Sequence, residues 1–206
     1  MVRSGLSDRI DVSQYRLALH LGLGVVILGT LLWTALSLRA ADDATATGSA
    51  GSRRAAGLLL MLVFVQILLG ALVAGLKAGH AYNTWPLMDG QLLPSGLGAM
   101  QPWYLNPFEN AMTVQFNHRV AAYLLLLAVL WRAAVVFRTA SEGGATRSGL
   151  ALALAVALQF GLGVWTLLSG VPPALGLAHQ AMAASIFALA VWHFYESRQP
   201  QSTSRC

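Results

Sequence analysis

The chain has 206 residues, of which 56% are hydrophobic and only 10% charged, with a mean hydropathy of +0.61. Soluble domains carry about 25% charged residues, so the composition excludes an ordinary globular domain and points to an integral membrane protein. The net charge of +5 is read as basic loops at a membrane surface and not as a nucleic-acid footprint. The lone Cys206 excludes an intrachain disulfide or thiolate metal site.

In chain order, a polar start (MVRSGLSDRIDVSQ) lacks the short apolar core of a secretory signal. Five segments are long enough to span a bilayer, at about 17–38, 57–76, 111–136, 148–170 and 174–195. Small-residue linkers edged with arginine join the first to the second (39–55) and the third to the fourth (137–147). Residues 77–110 form a long loop rich in Trp, Pro, Asn and Tyr.

Eight arginines (39, 53, 54, 132, 138, 147, 198 and 205) fall on one side, against Arg3, Arg9, Arg16, Lys77 and Arg119 on the other. The excess of basic residues places the linkers and the C-terminus in the cytoplasm and the 77–110 loop outside.

An internal repeat runs through the spans. Gln66-Ile-Leu-Leu-Gly70 in the second matches Gln159-Phe-Gly-Leu-Gly163 in the fourth, and each is followed by a helix with a histidine near its start, His118 and His179. The first span carries His20 in the same place, without a glutamine helix before it. The order is H, Q-H, Q-H, so the expectation is a chain that starts with half a pair, as the tail of something longer.

All three histidines fall one to two turns from the outer helix ends, roughly 5–11 Å deep. Ionisable groups inside a membrane are costly and mark functional sites. Imidazoles at one depth on neighbouring helices are what axial haem ligation requires, one from each face of the macrocycle. Small neighbours such as Gly176, Ala178, Ala181, Ala183 and Ala184 leave room for a flat ring. Arg119 beside His118, and Arg16 one turn before His20, are placed to meet carboxylates. The bland readings are interhelical hydrogen bonding for the histidines and snorkelling for the arginines. His80, Asp89 and Glu109 read as loop residues, and His193 as an interfacial anchor beside Trp192, Phe194 and Tyr195.

The stretches MVRSGL, DVSQYRLALHLGL, AYNTWPLMDGQLLP, PFENAMTVQFNHRVAAY and the HQ of LAHQA resemble the haem A synthase family, in its proteobacterial and mitochondrial form. The likeness runs from Met1 to about Trp192. It implies an eight-helix membrane enzyme of two pseudo-symmetric halves that oxidises the C8 methyl of haem O to a formyl group for cytochrome oxidase assembly. This chain corresponds to the last five helices: residues 1–55 as a remnant of the first half, and 56–206 as a four-helix haem-binding half. By the resemblance His118 and His179 ligate a b-type haem with Arg119 nearby, and His20, with Arg16, belongs to the site of the substrate haem O.

The first half's other histidine has no counterpart here. The family's glutamate three residues before it, a candidate catalytic acid, is absent too. The matching position in this half is Gln115, which cannot titrate, so no catalytic residue is assigned. The expectation is a chain that binds haem and is inactive alone. Implied partners are membrane lipid, haem O, haem O synthase, an electron donor and the oxidase assembly machinery, with a homo-oligomer left open. The implied location is a bacterial inner membrane, ahead of the mitochondrial inner membrane. Two other readings stand beside this one: a b-type cytochrome acting only in electron transfer, and a haem-free scaffold or transporter fragment.

Overall fold

The computed structural model describes residues 12–39, 49–138 and 144–198. Five long helices cross from end to end: α1 (Gln14–Arg39), α2 (Ala50–Gly75), α5 (Ala111–Arg138), α6 (Gly144–Leu168) and α7 (Pro173–Glu196). Each is long and apolar enough to span a membrane, and the described residues outside the helices form no named strand. The protein is a multi-pass helical membrane protein. Short helices α3 (Ala78–Ala81) and α4 (Asn106–Glu109) lie in the connection between α2 and α5.

The helix bounds differ from the apolar spans for local reasons. Helix α2 begins seven residues before its apolar run, because Ser49 caps it by accepting a hydrogen bond from the Ser52 N–H at 3.2 Å. A serine cap satisfies an orphan amide of the first turn however polar that turn is. Helix α6 closes early, at Leu168. There Gly170, at φ +75°, lets the Val171 N–H reach the Thr166 carbonyl at 2.9 Å and its own N–H reach Leu167 at 3.1 Å. That paired closure needs a left-handed residue after the last turn, a position glycine fills without strain. Pro173 then opens α7, where a missing N–H costs nothing.

Packing gives a closed ring. Helix α2 touches α5, α5 touches α6, α6 touches α7, and α7 returns to α2. Helices α5 and α7 therefore stand on one diagonal, α2 and α6 on the other. Helix α1 packs outside the ring, in the seam between α2 and α7. The core runs down the centre through Leu59, Val63, Leu125, Val129, Leu152 and Phe187, with Phe64 and Phe187 in ring contact at 6.2 Å. Outward faces are equally apolar, with Leu31, Leu124 and Leu154 exposed, as expected where the outer solvent is lipid. In such a medium the helices are held by close packing and interhelical hydrogen bonds, not by exclusion of water.

The 77–110 loop is ordered by two asparagines. Asn106 donates to the carbonyls of Met100 and Trp103 and accepts from the Met100 N–H, all between 2.8 and 2.9 Å. Asn110 accepts from the Met112 and Thr113 amides at 3.0 and 3.3 Å, capping α5. Glu109 accepts from the Tyr15 hydroxyl at 2.9 Å. It therefore ties α4 to α1, where a merely solvated loop acid was expected.

Candidate functional site

His118 is the eighth residue of α5, and His179 the seventh of α7. Both lie about 9–11 Å from their helix starts at 1.5 Å per residue. They sit on helices at opposite corners of the ring. Between them stand the two glutamine helices. Gln66 and Gln159 are each nine residues from the end of their own helix, and so occupy one level.

Each glutamine serves the histidine of the next long helix in the chain. The Gln66 amide donates to the His118 carbonyl at 3.2 Å and lies 3.1 Å from His118 Nδ1. The Gln159 amide donates to the His179 carbonyl at 2.8 Å. One turn further along each glutamine helix comes the repeat's glycine. A Cβ on Gly70 would stand 3.2 Å from His118 Cε1, and a Cβ on Gly163 would stand 2.9 Å from His179 Cε1. The Q-x-x-x-G pattern therefore has a physical content: the amide holds the histidine backbone, and the glycine makes room for its ring. Both copies do the same thing.

The loop is strapped onto this layer from one side. Gln115, only 3% exposed, donates to the Tyr82 carbonyl at 2.9 Å. Arg119 donates to that same carbonyl at 2.9 Å and to the Leu87 carbonyl at 3.4 Å. Beside it the Trp85 indole donates to the Tyr123 hydroxyl at 2.9 Å, and Tyr123 packs on Phe160 of α6. The AYNTWPL stretch thus closes over the α5 side of the pair.

Among the described residues, six buried side-chain polar atoms have no hydrogen-bond partner. Five belong to this layer: Gln66 Oε1, Gln115 Oε1, Arg119 Nε, Gln159 Oε1 and His179 Nδ1. Native interiors leave few such atoms, and each calls for an explanation. Their concentration here marks a place with unspent donors and acceptors. No group of three or more His, Cys, Asp or Glu able to hold a bare metal ion occurs among the described residues; a haem iron needs only two axial protein donors.

The other candidates lie elsewhere. His20, at the same depth on α1, is exposed, and so is Arg16; neither is brought into the ring. His80 and Asp89 are exposed in the loop. Arg3, Arg9, Arg205, Cys206 and the MVRSGL stretch lie outside the described residues, as do 40–48 and 139–143 of the two linkers.

His193 corrects the sequence reading: it is 0% exposed and anchors nothing at the interface. Arg132 donates from Nε to His193 Nε2 at 3.3 Å. That nitrogen must then be the acceptor, which leaves Nδ1 to carry the proton and donate to Ser148 Oγ at 3.0 Å. The Ser148 hydroxyl in turn donates to the Ala145 carbonyl at 3.3 Å, and Arg132 also donates to Ser52 Oγ. This polar layer was readable as an echo of the first one. Arg132 and His193 stand fourteen residues on from His118 and His179, while Ser52 and Gly149 stand fourteen before Gln66 and Gly163. Fourteen residues are about four turns, or roughly 21 Å. In this second layer arginine and histidine meet directly and close the ring.

Fold and site together define a class: a helical membrane protein with a histidine at one level on each of two diagonal helices of a four-helix ring. The chain belongs to the family of cytochrome oxidase assembly proteins (COX15-CtaA), whose model matches residues 1–191. Among its relatives are a heme A synthase of Parvibaculum lavamentivorans, 51% identical over 95% of this chain and 55% of its own length, and one of Bradyrhizobium diazoefficiens, 50% identical over 93% and 53%. A heme A synthase of Chelativorans sp. is 47% identical over 96% and 54%. The chain spans about half the length of these curated relatives. No solved structure matches it.

Proposed function

We propose that this chain is the haem b-binding part of a haem A synthase, the enzyme that oxidises the C8 methyl of haem O to a formyl group. The observation that carries the reading is the doubled Gln–His–Gly arrangement, with its five unpartnered buried atoms gathered around His118 and His179. The donor set fits a haem: two imidazoles on one diagonal and two glycine-bearing helices on the other. A haem bound there supplies one-electron redox chemistry at its iron. Arg119 Nε, buried and unpartnered, is the donor a propionate would take, while the rest of that guanidinium holds the loop. Gln66 and Gln159 fix the two histidine backbones, which keeps the imidazoles from turning away. Ligating histidines depend on such outer partners for orientation.

Gln115 supports a redox role for this layer over a role in the oxidation itself. It occupies the position three residues before His118 and binds the Tyr82 carbonyl, and an amide cannot act as general acid or base. His20, exposed on α1, is available to a haem O site that needs groups beyond this ring. On this reading the 77–110 loop faces the outside of a bacterial inner membrane, and the C-terminus faces the cytoplasm. Electrons enter from a donor, and haem A passes to the oxidase assembly machinery.

Disruption of the gene in its host tests the enzymatic assignment. Loss of haem A from extracted membranes, with haem O accumulating, is the expected result. Unchanged haem A would instead favour the electron-transfer cytochrome, a reading that the lack of a titrating group at position 115 also supports. The isolated 206-residue chain is expected to bind haem without converting haem O, and conversion by that chain alone would overturn the redox-only role of this layer.

A further inference from the structure

At the end of the ring opposite the two histidines, a cleft of roughly 730 Å³ opens between α2 and α5. Its walls are Leu58, Leu62, Leu127 and Trp131, and its mouth carries Ser49, Ser52 and Arg132. Trp131 is 75% exposed and Leu58 67%, so the cleft faces the lipid. The haem proposal makes no use of it.

Arg132 is the unusual feature. It lies six residues before the end of α5, about 9 Å in, at headgroup to upper-chain depth. Its Nε is committed to His193 and one amino group to Ser52. Both partners are uncharged, since an imidazole that accepts from arginine is the neutral form. The guanidinium carries five N–H donors in a planar fork, and the described residues take two of them on a side chain that lines the cleft. A half-buried cation whose contacts among the described residues are neutral is poorly compensated by them in a low-dielectric setting. An anionic group would compensate it and could be gripped by two parallel bonds. At the same mouth the first turn of α2, its Ser52 amide already capped by Ser49, adds the positive end of its dipole. The long apolar walls suit a hydrocarbon chain.

We propose that this cleft is a specific site for an anionic phospholipid of the surrounding leaflet, with its phosphate on Arg132 and one acyl chain along Leu62 and Leu127. The bound lipid staples α2 to α5, the two helices that carry Gln66 and His118 at their other ends. This goes beyond annular lipid contact, because it requires a headgroup preference at one place.

The test uses the purified 206-residue chain in phosphatidylcholine bilayers, titrated with either phosphatidylglycerol or phosphatidylcholine carrying brominated tails. The readout is quenching of Trp131 fluorescence, isolated by difference from Trp131→Phe. Wild type should show half-maximal quenching at an about fivefold lower mole fraction of the brominated phosphatidylglycerol, the preference expected of one well-placed basic group. Arg132→Gln should bring the two lipids level, and Ala128→Phe, which fills the cleft and keeps the arginine, should do the same. Equal quenching by the two lipids in wild type overturns the proposal without any variant. A preference that survives in folded Arg132→Gln or Ala128→Phe also overturns it, as does displacement of the quenching lipid by inorganic phosphate.

Discussion

Gly163 and Gly70 have the same role but different clearances, and the difference can be measured. A Cβ at position 163 would press on His179 at 2.9 Å, whereas at position 70 it would meet His118 at 3.2 Å. Forcing a group into such a space costs about 1–3 kcal/mol, or roughly five- to 150-fold in affinity for whatever the ring holds. Gly163→Ala should therefore lower haem content per protein more than Gly70→Ala, read from the Soret absorbance of purified variants. Equal haem content in both variants and wild type would contradict the close approach of ring and backbone. At the other end of the ring, Ser148→Ala would leave the His193 Nδ1 proton unpaired in a fully buried place. An orphaned buried donor costs about 1–3 kcal/mol, so this variant should denature at lower temperature while its haem spectrum is unchanged.

Among the elements, the start of the loop between α2 and α5 is strapped to α5 partly through one carbonyl. Tyr82 accepts from both Gln115 and Arg119, so either donor alone still holds it. Gln115→Ala is expected to raise amide hydrogen exchange around residues 82–88 only modestly. The double variant Gln115→Ala/Arg119→Ala leaves only the Trp85 bond to Tyr123 and should raise exchange there well beyond either single variant; exchange no faster than in the single variants would contradict the strap. The sequence located this loop and its aromatic residues but not its order, which comes from Asn106 and Asn110 bonding to backbone groups six and fourteen residues away. Apolar runs likewise marked the spans and missed the ends of α2 and α6. Those ends are set by a serine cap and a left-handed glycine, to which hydropathy is blind. The histidine pair was legible because it repeats with its glutamines. His193 was misread because its aromatic neighbours suggested an interface, although the fourteen-residue echo with Arg132 was already in the sequence. The packing of α1 outside the ring could not be read from a helix that is apolar all round.

The described helices form a ring with two polar layers about 21 Å apart, one holding unpartnered buried donors and acceptors and one closed on itself. The topology proposed for it makes the closed layer cytoplasmic. A reporter fused to the C-terminus should then be active only as a cytoplasmic fusion, and a reporter inserted in the loop at Leu93 only as an exported one; the reverse pattern would invert the molecule without altering the ring.

The central claim is that His118 and His179 together hold one haem. Optical and electron paramagnetic resonance spectra of the purified chain test it most directly, in wild type and in the variants His118→Ala, His179→Ala and His20→Ala. A low-spin bis-histidine haem is expected in wild type and in His20→Ala, with that signal lost in each of the other two. A chain that purifies without a Soret band, or one whose low-spin signal survives either ring substitution, would contradict it.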